Sequence, residues 1–517
     1  MRFHHRCIHH LTTMALLGLP TELLHHVLIF LARRDVKTVR LVCKKLKAHA
    51  ELRIDRVFVS AHRIDIDVFN SVTSHPEFRN NVEEIVWDDL CFERFCEDHE
   101  RNARPDFAFG YDGRKVFNTF EREANFECWQ ENMPGRLRKL EERKRELWGQ
   151  DYQEISMRES FDIYNCLYDE QCAIMERDED VQAFRMGLES FPKLKRVTLT
   201  SEAWRGLYLS PQYETPLFRS LPPGFKMPMP STWGWTTTNI SYPQDCRFSA
   251  IVRHLLDAAS RHRVCELVVD VHRETVGIPF YYFQRNQPEN WNIQEVFLTV
   301  PLTRLDLAIN VYRDDDRYCF KDGGTLKTTL SHLVHLEHFH FHTNMPTSCP
   351  EQFDDWGDPD DTWPNLQSIF PTQNWARLRH LGLANLFTSA SSVGTLLSSL
   401  PSLQTIDFDT LIFRPDHGTY RSLLQSLKTN LVEPEDGAWR TRKPTMTIRQ
   451  INGDNETQRI TISEEISKYL YEEGNYPFTE EAPNYIGNGF GWILDDFNEE
   501  FRLINDYTQW GDLDEAA

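Results

Sequence analysis

The chain of 517 residues is 40% hydrophobic, so it can bury a large core and is too long for one compact domain. Its 78 acidic residues outnumber 57 basic ones, and the resulting formal charge of −21 disfavours nucleic acid and membrane surfaces as partners. No apolar run is long enough to span a bilayer, and the 11 cysteines include no C-x-x-C pair, so we expect a cytoplasmic or nuclear protein without a disulfide framework or zinc ribbon.

A histidine-bearing tail and two short helices are predicted at the N-terminus. Residues 1–16 show neither helical nor strand periodicity, so we expect a flexible tail. From residue 17, apolar residues recur at helical spacing after Pro20, a residue that suits a first helical turn. The apolar positions of the first helix are Leu23, Leu24, Val27, Leu28 and Leu31, and those of the second are Val36, Val39, Leu41, Val42, Cys43 and Leu46.

The sequence reads Leu19-Pro20-x-Glu22-Leu23, then Leu31 and Asp35, then Arg40-Leu41-Val42-Cys43-Lys44, and this order and spacing resemble the F-box. The resemblance assigns residues 17–60 to an F-box and implies that it binds a Skp-family adaptor and, through that adaptor, a cullin. Two short helices also have too little core to bury so many apolar side chains by themselves. The predicted adaptor-binding residues are Leu19, Pro20, Glu22, Leu23, Val27, Leu28, Leu31, Val39, Val42 and Cys43.

Residues 61–187 are predicted to form a helical linker region that packs on the next domain. The segment of residues 59–89 is similar to the strand, helix and strand that follow the F-box in a fungal group of these proteins. Farther along, apolar residues recur at helical spacing in two stripes. One stripe contains Leu137, Leu140 and Leu147, and the other contains Phe161, Tyr164, Leu167, Tyr168 and Met175.

A degenerate repeat of the form L-x-x-L-x-L-x-x-N runs through residues 188–462. The spacing of its copies is irregular, so the longer gaps must hold inserted loops, such as the Pro- and Trp-rich residues 211–242. Each strand-plus-helix unit exposes an apolar face that only a stacked neighbour can bury. Clear copies start at Leu302, Leu333 and Leu400, and weaker ones start at Phe191, Val264, Leu378 and Met446.

These patterns predict an α/β fold, with an N-terminal all-α F-box followed by an irregular leucine-rich-repeat-like α/β solenoid that has a parallel concave sheet. Residues 463–517 are acidic and aromatic. We expect them to cap the solenoid or to extend from it as a tail.

A histidine-rich segment, HLVHLEHFHFHTN, lies in the clearest repeat. On a strand, Phe339 and Phe341 point inward, and the alternating histidines line the opposite, concave face. A metal site, a pH-sensitive recognition surface and ordinary polar residues all fit this pattern, but alternate residues on one strand lie about 7 Å apart, which disfavours a metal. The predicted target-binding residues are Arg304, Asp306, His338, His340, His342, His380, Asp407 and Asp409.

Other motifs give no support for catalysis. The acidic residues 351–361 lack the terminal Glu and turn Gly of a calcium loop, and Gly487-x-Gly489-x-Gly491 lacks the strand-then-helix context of a phosphate site. The sequence contains neither G-x-S-x-G nor H-E-x-x-H, nor a phosphate-binding loop with its lysine. We therefore predict a binding protein that is not an enzyme and needs no cofactor.

The F-box resemblance and the solenoid together predict a substrate-recognition subunit of an SCF-type (cullin-RING) ubiquitin ligase. The solenoid would bind an unknown target protein, and the acidic charge favours a basic one. A second hypothesis keeps the F-box but describes an interaction scaffold without a role in ubiquitination. A third is a metal-dependent enzyme centred on His338, His340 and His342.

Overall fold

The computed structural model describes residues 16–31, 33–50, 52–92, 155–201, 203, 213–222, 224–225, 247–271, 277–284, 288–310, 324–343, 365–413, 417–452 and 455–477. Several predicted features lie outside these residues. They are nearly all of the N-terminal tail, the helical stripe at residues 137–147, the acidic run at residues 351–361 and the glycine-rich residues 487–491.

Three short helices form the N-terminal module: α1 (Thr21–Ile29), α2 (Arg33–Val42) and α3 (Lys44–His49). The prediction gave two helices because the apolar pattern continues past Cys43. The backbone is extended there, and the Cys43 thiol accepts a hydrogen bond from the Leu46 amide, which starts α3. Leu24, Leu28, Leu46 and Ala50 form a small core of their own.

A long mixed α/β region follows, and its sheet has ten strands in the order of the chain within the described residues. All neighbouring pairs are parallel except the last, in which β10 and β11 form an antiparallel hairpin. The ten are β1 (Arg56–Ser60), β2 (Glu84–Asp88), β3 (Arg196–Thr200), β4 (Glu266–Asp270), β6 (Arg304–Asn310), β7 (His338–Thr343), β8 (His380–Thr388), β9 (Thr405–Phe413), β10 (Thr445–Asn452) and β11 (Asn455–Ile462), and the short β5 (Ile278–Pro279) pairs with the far end of β6.

Most of the helices cover one face of this sheet and share a continuous hydrophobic core with it, whereas the helices that begin at Met157 and Pro216 also pack on the opposite face. Successive strand residues point to opposite faces, so alternate apolar residues of each strand enter this core. The helices are α4 (Arg63–Ser74), α5 (Pro76–Arg79), α6 (Met157–Glu176), α7 (Glu179–Ser190), α8 (Pro216–Ser220), α9 (Arg247–Asp257), α10 (Pro288–Thr299), α11 (Gly324–Leu330), α12 (Leu366–Ile369), α13 (Ala390–Ser398), α14 (Tyr420–Leu427), α15 (Ala438–Arg442) and α16 (Glu464–Tyr471).

The prediction of a mixed α/β fold with a parallel sheet is confirmed, and each of the seven repeat segments contains a strand. The order strand, helix and strand at residues 59–89 is also correct, as β1, α4 and β2. The sheet nevertheless begins earlier than the predicted residue 188. Strands β1 and β2 join it because Val57, Val59, Ile85 and Trp87 extend the same core beside β3.

Candidate functional site

The F-box-like module exposes an apolar surface made of large side chains on α1, directly after α1 and on α2. Pro20 and Glu22, which the sequence predicted as adaptor-binding residues, are also exposed. The large apolar side chains and their exposed fractions are Leu23 (53%), Val27 (43%), Phe30 (76%), Leu41 (87%) and Val42 (60%). A surface of this kind on a small module marks an interaction site.

The other predicted adaptor-binding residues lie deeper. Leu19, Leu31, Val39 and Cys43 are half-buried and pack against the core of the module, and Leu28 is 5% exposed and belongs to that core. Leu28 therefore supports the surface from beneath. The sequence reasoning left out Phe30 and Leu41, although a large apolar residue next to the predicted core positions could have signalled them.

The sheet has a second face, opposite the main core, which we call the polar face. Its residues stand in register across the strands. One row across the first strands alternates in charge and consists of Arg56, Glu84, Arg196, Glu266 and Arg304. Arg56 donates to Glu84 at 2.5 Å, and Arg196 donates to Glu266 at 2.6 Å. These opposite charges on neighbouring strands favour the observed register.

The polar face is covered over β1 to β4. The ring of Tyr213 lies 5.3 Å from the Arg56 guanidinium and 6.4 Å from the ring of Phe58, and its hydroxyl donates to the Asp270 carboxylate. Val86 forms a second hydrophobic cluster with Tyr213, Leu217 and Phe218. This half of the polar face is therefore closed to a large partner.

The polar face is more open over β6 to β10, and the structure places all eight predicted target-binding residues on it. Arg304 and Asp306 lie on β6, the three histidines on β7, His380 on β8, and Asp407 and Asp409 on β9. Phe339 and Phe341, which alternate with the histidines of β7, point to the opposite face and are buried in the main core, as predicted. Among these side chains, His338 is 28% exposed, Asp407 14% and Arg304 13%.

Asp306 and His338 form an ion-pair cluster with Arg304. The Arg304 guanidinium lies 2.7 Å from the Asp306 carboxylate, and His338 Nε2 lies 3.2 Å from the same group. Burial raises the pKa of Asp306, but the charges of Arg304 and His338 outweigh it and hold that pKa well below its usual range. Asp306 is therefore ionised at neutral pH.

The imidazole rings of His338 and His380 stack with their centroids 4.0 Å apart and their planes 9° from parallel. His380 Nδ1 and the Thr405 hydroxyl share a hydrogen bond of 2.8 Å. Burial, and then the charges of His338 and His340, lower the pKa of His380 to about 2. His380 is therefore neutral at every physiological pH.

His340 lies at the centre of the open half, between Asp306 on β6 and Asp407 on β9. Its ring rests over Gly382, where a Cβ atom would lie 2.2 Å from His340 Nδ1. Glycine is required at this position because any side chain would displace the ring. Burial lowers the pKa of His340, while Asp306 and Asp407 act in the opposite direction.

Three of the predicted residues are buried, and the first of them, Asp306, is 5% exposed. His342 is 6% exposed and shares a hydrogen bond of 2.9 Å with the Asn385 side chain, and Asp409 is 4% exposed. Asn385 has a left-handed backbone, with φ of 47°, inside β8, which aims its amide at His342. The alternation of residues on a strand could not reveal this contact.

Sequence reasoning missed Arg449 on β10, which donates to the Asp407 carboxylate at 2.5 Å. The segment Met446-x-Ile448 had been recognised, so the next polar residue of that strand was available as a signal. In the described part of the chain, no group of three or more His, Cys, Asp or Glu side chains is placed to hold a metal ion. Nor does any described helix have the length and apolar character to cross a membrane.

A comparison with known families identifies the N-terminal module. Residues 16–54 match the model of the F-box domain, which confirms the resemblance seen in the sequence. The match ends just before β1 begins at Arg56, so the predicted limit of residue 60 included this strand. No curated protein matches the chain.

Proposed function

We propose that this F-box protein is the substrate-recognition subunit of an SCF-type ubiquitin ligase in the cytoplasm or nucleus. An F-box makes its chain a protein-interaction adaptor, typically in such ligases. In this proposal the F-box binds a Skp-family adaptor and, through it, a cullin, while the sheet region binds the target. The F-box match carries the proposal, because the same residues expose the apolar surface around Leu23, Leu41 and Val42.

The sheet region is, in this proposal, an irregular leucine-rich-repeat-like solenoid whose polar face is concave. Two observations support it: the strands pair in chain order, and the repeat segments supply the strands. Stacked units of this kind offer an extended concave surface to a partner. Residues 463–517 would cap the last unit or extend from it as a tail.

The chain itself would carry out no chemistry. A rigid receptor accelerates transfer by holding the target near the conjugating enzyme, which raises the effective concentration of the reacting groups. Ubiquitin transfer would then belong to the other subunits. This division of labour agrees with the lack of catalytic motifs in the sequence.

Replacing Val42 by Glu tests the adaptor contact. Val42 is 60% exposed, so the change places a charge on the surface without disturbing the core. We expect Val42→Glu to abolish co-purification of the Skp-family adaptor. Leu298→Glu is the matched control, because Leu298 is 62% exposed on α10 of the sheet region, and this variant should retain the adaptor. Equal retention by both variants would overturn the proposed adaptor contact.

The scaffold alternative shares the adaptor and differs in the fate of the target. Cells that lack the chain are complemented with the native protein or with Val42→Glu, and protein half-lives are measured across the proteome. A receptor predicts proteins that bind both forms but live longer with Val42→Glu. If every bound protein has the same half-life with both forms, the scaffold hypothesis is correct.

A further inference from the structure

A row of buried polar residues lies under the covered half of the polar face. It crosses the last residues of β1 to β4 in register and consists of Ser60, Asp88, Thr200 and Asp270, none of which is more than 2% exposed. The segment of residues 213–222, which we call the cover, packs over this half. We propose that the cover is a latch controlled by a single proton, closed while Asp88 holds that proton and open once Asp88 has lost it.

Two buried carboxyl groups tie the cover to the ends of this row. Beside β1, Asp65 of α4 accepts hydrogen bonds from the Ser60 hydroxyl at 2.6 Å and from the Leu217 amide of the cover at 2.8 Å. On β4, Asp270 accepts a hydrogen bond from the Tyr213 hydroxyl of the cover. Closure of the cover therefore depends on groups that lie on both sides of Asp88.

The cover also shields Asp88 from water. Leu217 and Phe218 of the cover pack with Val86 in one hydrophobic cluster. Asp88 is two residues farther along β2 than Val86, so both side chains point to the same face of the sheet. Movement of the cover away from this face would admit water to Asp88.

The surroundings of Asp88 disfavour its ionised form. Its Oδ1 accepts one hydrogen bond of 3.2 Å from the Leu90 amide, and its Oδ2 has no hydrogen-bond partner among the described residues. The charged groups that act on it, Asp65 and Asp89, are both acidic. Burial, and then the charge of Asp65, raise the pKa of Asp88 well above its usual range.

The neighbouring cations do not neutralise Asp88, because they are paired with other carboxylates. The pairs are Arg56 with Glu84, Arg196 with Glu266 and Arg247 with Asp180, and His62 lies 3.7 Å from Glu170. Burial raises the pKa of Asp65 as well, but both of its oxygens accept hydrogen bonds, which oppose this effect. The proton therefore belongs to Asp88.

Opening of the cover releases this proton. In the open form water reaches Asp88, and its pKa returns toward the ordinary aspartate value of about 3.9. Between that value and the raised pKa, the closed form binds one proton more than the open form. The equilibrium constant for opening therefore rises by up to about tenfold per pH unit across this interval. Acid keeps the cover closed, and a rise in pH uncovers the polar face over β1 to β4 for a partner.

Hydrogen exchange of the intact chain tests this proposal. The protection of the amides in residues 213–222, relative to their intrinsic exchange rates at each pH, is measured between about pH 5 and pH 8. We expect this protection to fall by up to about tenfold per pH unit as the pH rises, until Asp88 ionises in the closed form. Protection that does not change with pH would overturn the proposal.

The variant Asp88→Asn identifies the group that holds the proton. Asparagine keeps the acceptor for the Leu90 amide and has no proton to lose, so the protection of the cover should not depend on pH in this variant. The control is Asp409→Asn, which changes a buried aspartate of β9 outside the covered half and should keep the native dependence. Native dependence in Asp88→Asn, or its loss in Asp409→Asn, would refute the latch.

The variant Tyr213→Phe keeps the test decisive if Asp88→Asn folds poorly. It removes only the hydroxyl that donates to Asp270, so the cover should lose about tenfold in protection at every pH and keep its dependence on pH. Loss of that dependence would assign the proton to Tyr213 or Asp270 and overturn the proposal. These measurements need no adaptor, so the proposed ligase role is tested separately.

Discussion

His380 illustrates how the surroundings of one side chain set the response of the protein to acid. The folded state holds its pKa at about 2, far below the usual value near 6.5, because burial and the neighbouring His338 and His340 disfavour its charged form. The unfolded chain therefore binds this proton first as the pH falls. The contribution of neutral His380 to stability is complete above about pH 6.5 and is lost progressively below it.

We predict that His380→Gln flattens the acid dependence of stability. One proton taken up only on unfolding gives a slope of up to about 1.4 kcal/mol per pH unit below pH 6.5, and glutamine removes that slope while it can still bond to Thr405. Urea unfolding between pH 4.5 and 7.5 measures the effect, with His335→Gln at an exposed position as the control. An unchanged slope in His380→Gln would show that the folded state accepts this proton.

The sequence predicted the residues of the open half better than it predicted their exposure. Alternation along β7 separated the buried phenylalanines from the histidines correctly, since this pattern depends only on strand geometry. The contact of His342 with Asn385 depends on the backbone of β8. The position of the His340 ring depends on Gly382, which also lies on β8. Contacts between residues about 40 positions apart leave no periodic signal.

Two helical glycines, one on α7 and one on α13, differ in the space available for a larger side chain. Gly187 on α7 faces α4, and a Cβ atom there would lie 2.5 Å from Phe69 Cζ. Gly394 on α13 has free space, since its nearest neighbour would be Leu423 Cδ1 at 4.0 Å. The same substitution should therefore have opposite effects at the two positions.

We predict that Gly394→Ala stabilises the protein by about 1 kcal/mol, because alanine favours the helix. Gly187→Ala should destabilise it by about 1 to 3 kcal/mol, because α7 and α4 must move apart to accommodate the methyl group. Chemical unfolding curves of the two variants measure the difference. Stabilisation by both substitutions would mean that Phe69 turns away without penalty.

The elements themselves were predictable to the extent that each carries its own pattern. The seven repeat segments correctly indicated the positions of seven strands, because leucine spacing and apolar alternation are local properties of a sequence. The sequence analysis placed β1 and β2 outside the predicted sheet, in the F-box and the helical linker region. These strands are short, and more than a hundred residues separate β2 from β3 in the chain. The cover of Tyr213 over β1 to β4 joins an inserted segment to strands distant in sequence, so no local pattern could indicate it.

The core of the F-box is separate from the two hydrophobic clusters of the sheet region. The main core runs from Val57 to Leu470, whereas the F-box core consists of four buried residues, Leu24, Leu28, Leu46 and Ala50. A core of that size gives little stability, and the apolar surface beside it remains in contact with water until a partner covers it. The F-box should therefore depend on its adaptor for stability.

We predict that hydrogen exchange distinguishes the two parts. Amides of α1 to α3 should exchange much faster than those of β6 to β9 in the free chain, because local opening follows local stability. Adaptor binding should slow exchange in the F-box by the factor set by adaptor concentration over its dissociation constant, and leave the central strands unchanged. Slow exchange in the F-box of the free chain would contradict this dependence.

At the scale of the whole molecule, the sequence predicted two features, the F-box and the parallel sheet. The F-box was recognisable because its contact residues are close together in the chain and in a fixed order. The parallel sheet was predictable because the leucine spacing repeats along the chain, and each copy contributes a strand. The division of its polar face into a covered and an open half was not predictable, since it depends on where α6 and an inserted segment pack.

The order of the strands has a consequence for how the protein is made. Through β10, each long strand pairs with the one synthesised before it, so every new strand that leaves the ribosome meets a finished edge on which to add. Each parallel pairing nevertheless joins residues that are far apart in the chain, more than a hundred positions between β2 and β3, so this growth should be slow. The hairpin of β10 and β11 reverses the direction of the last described strand and so ends this parallel growth.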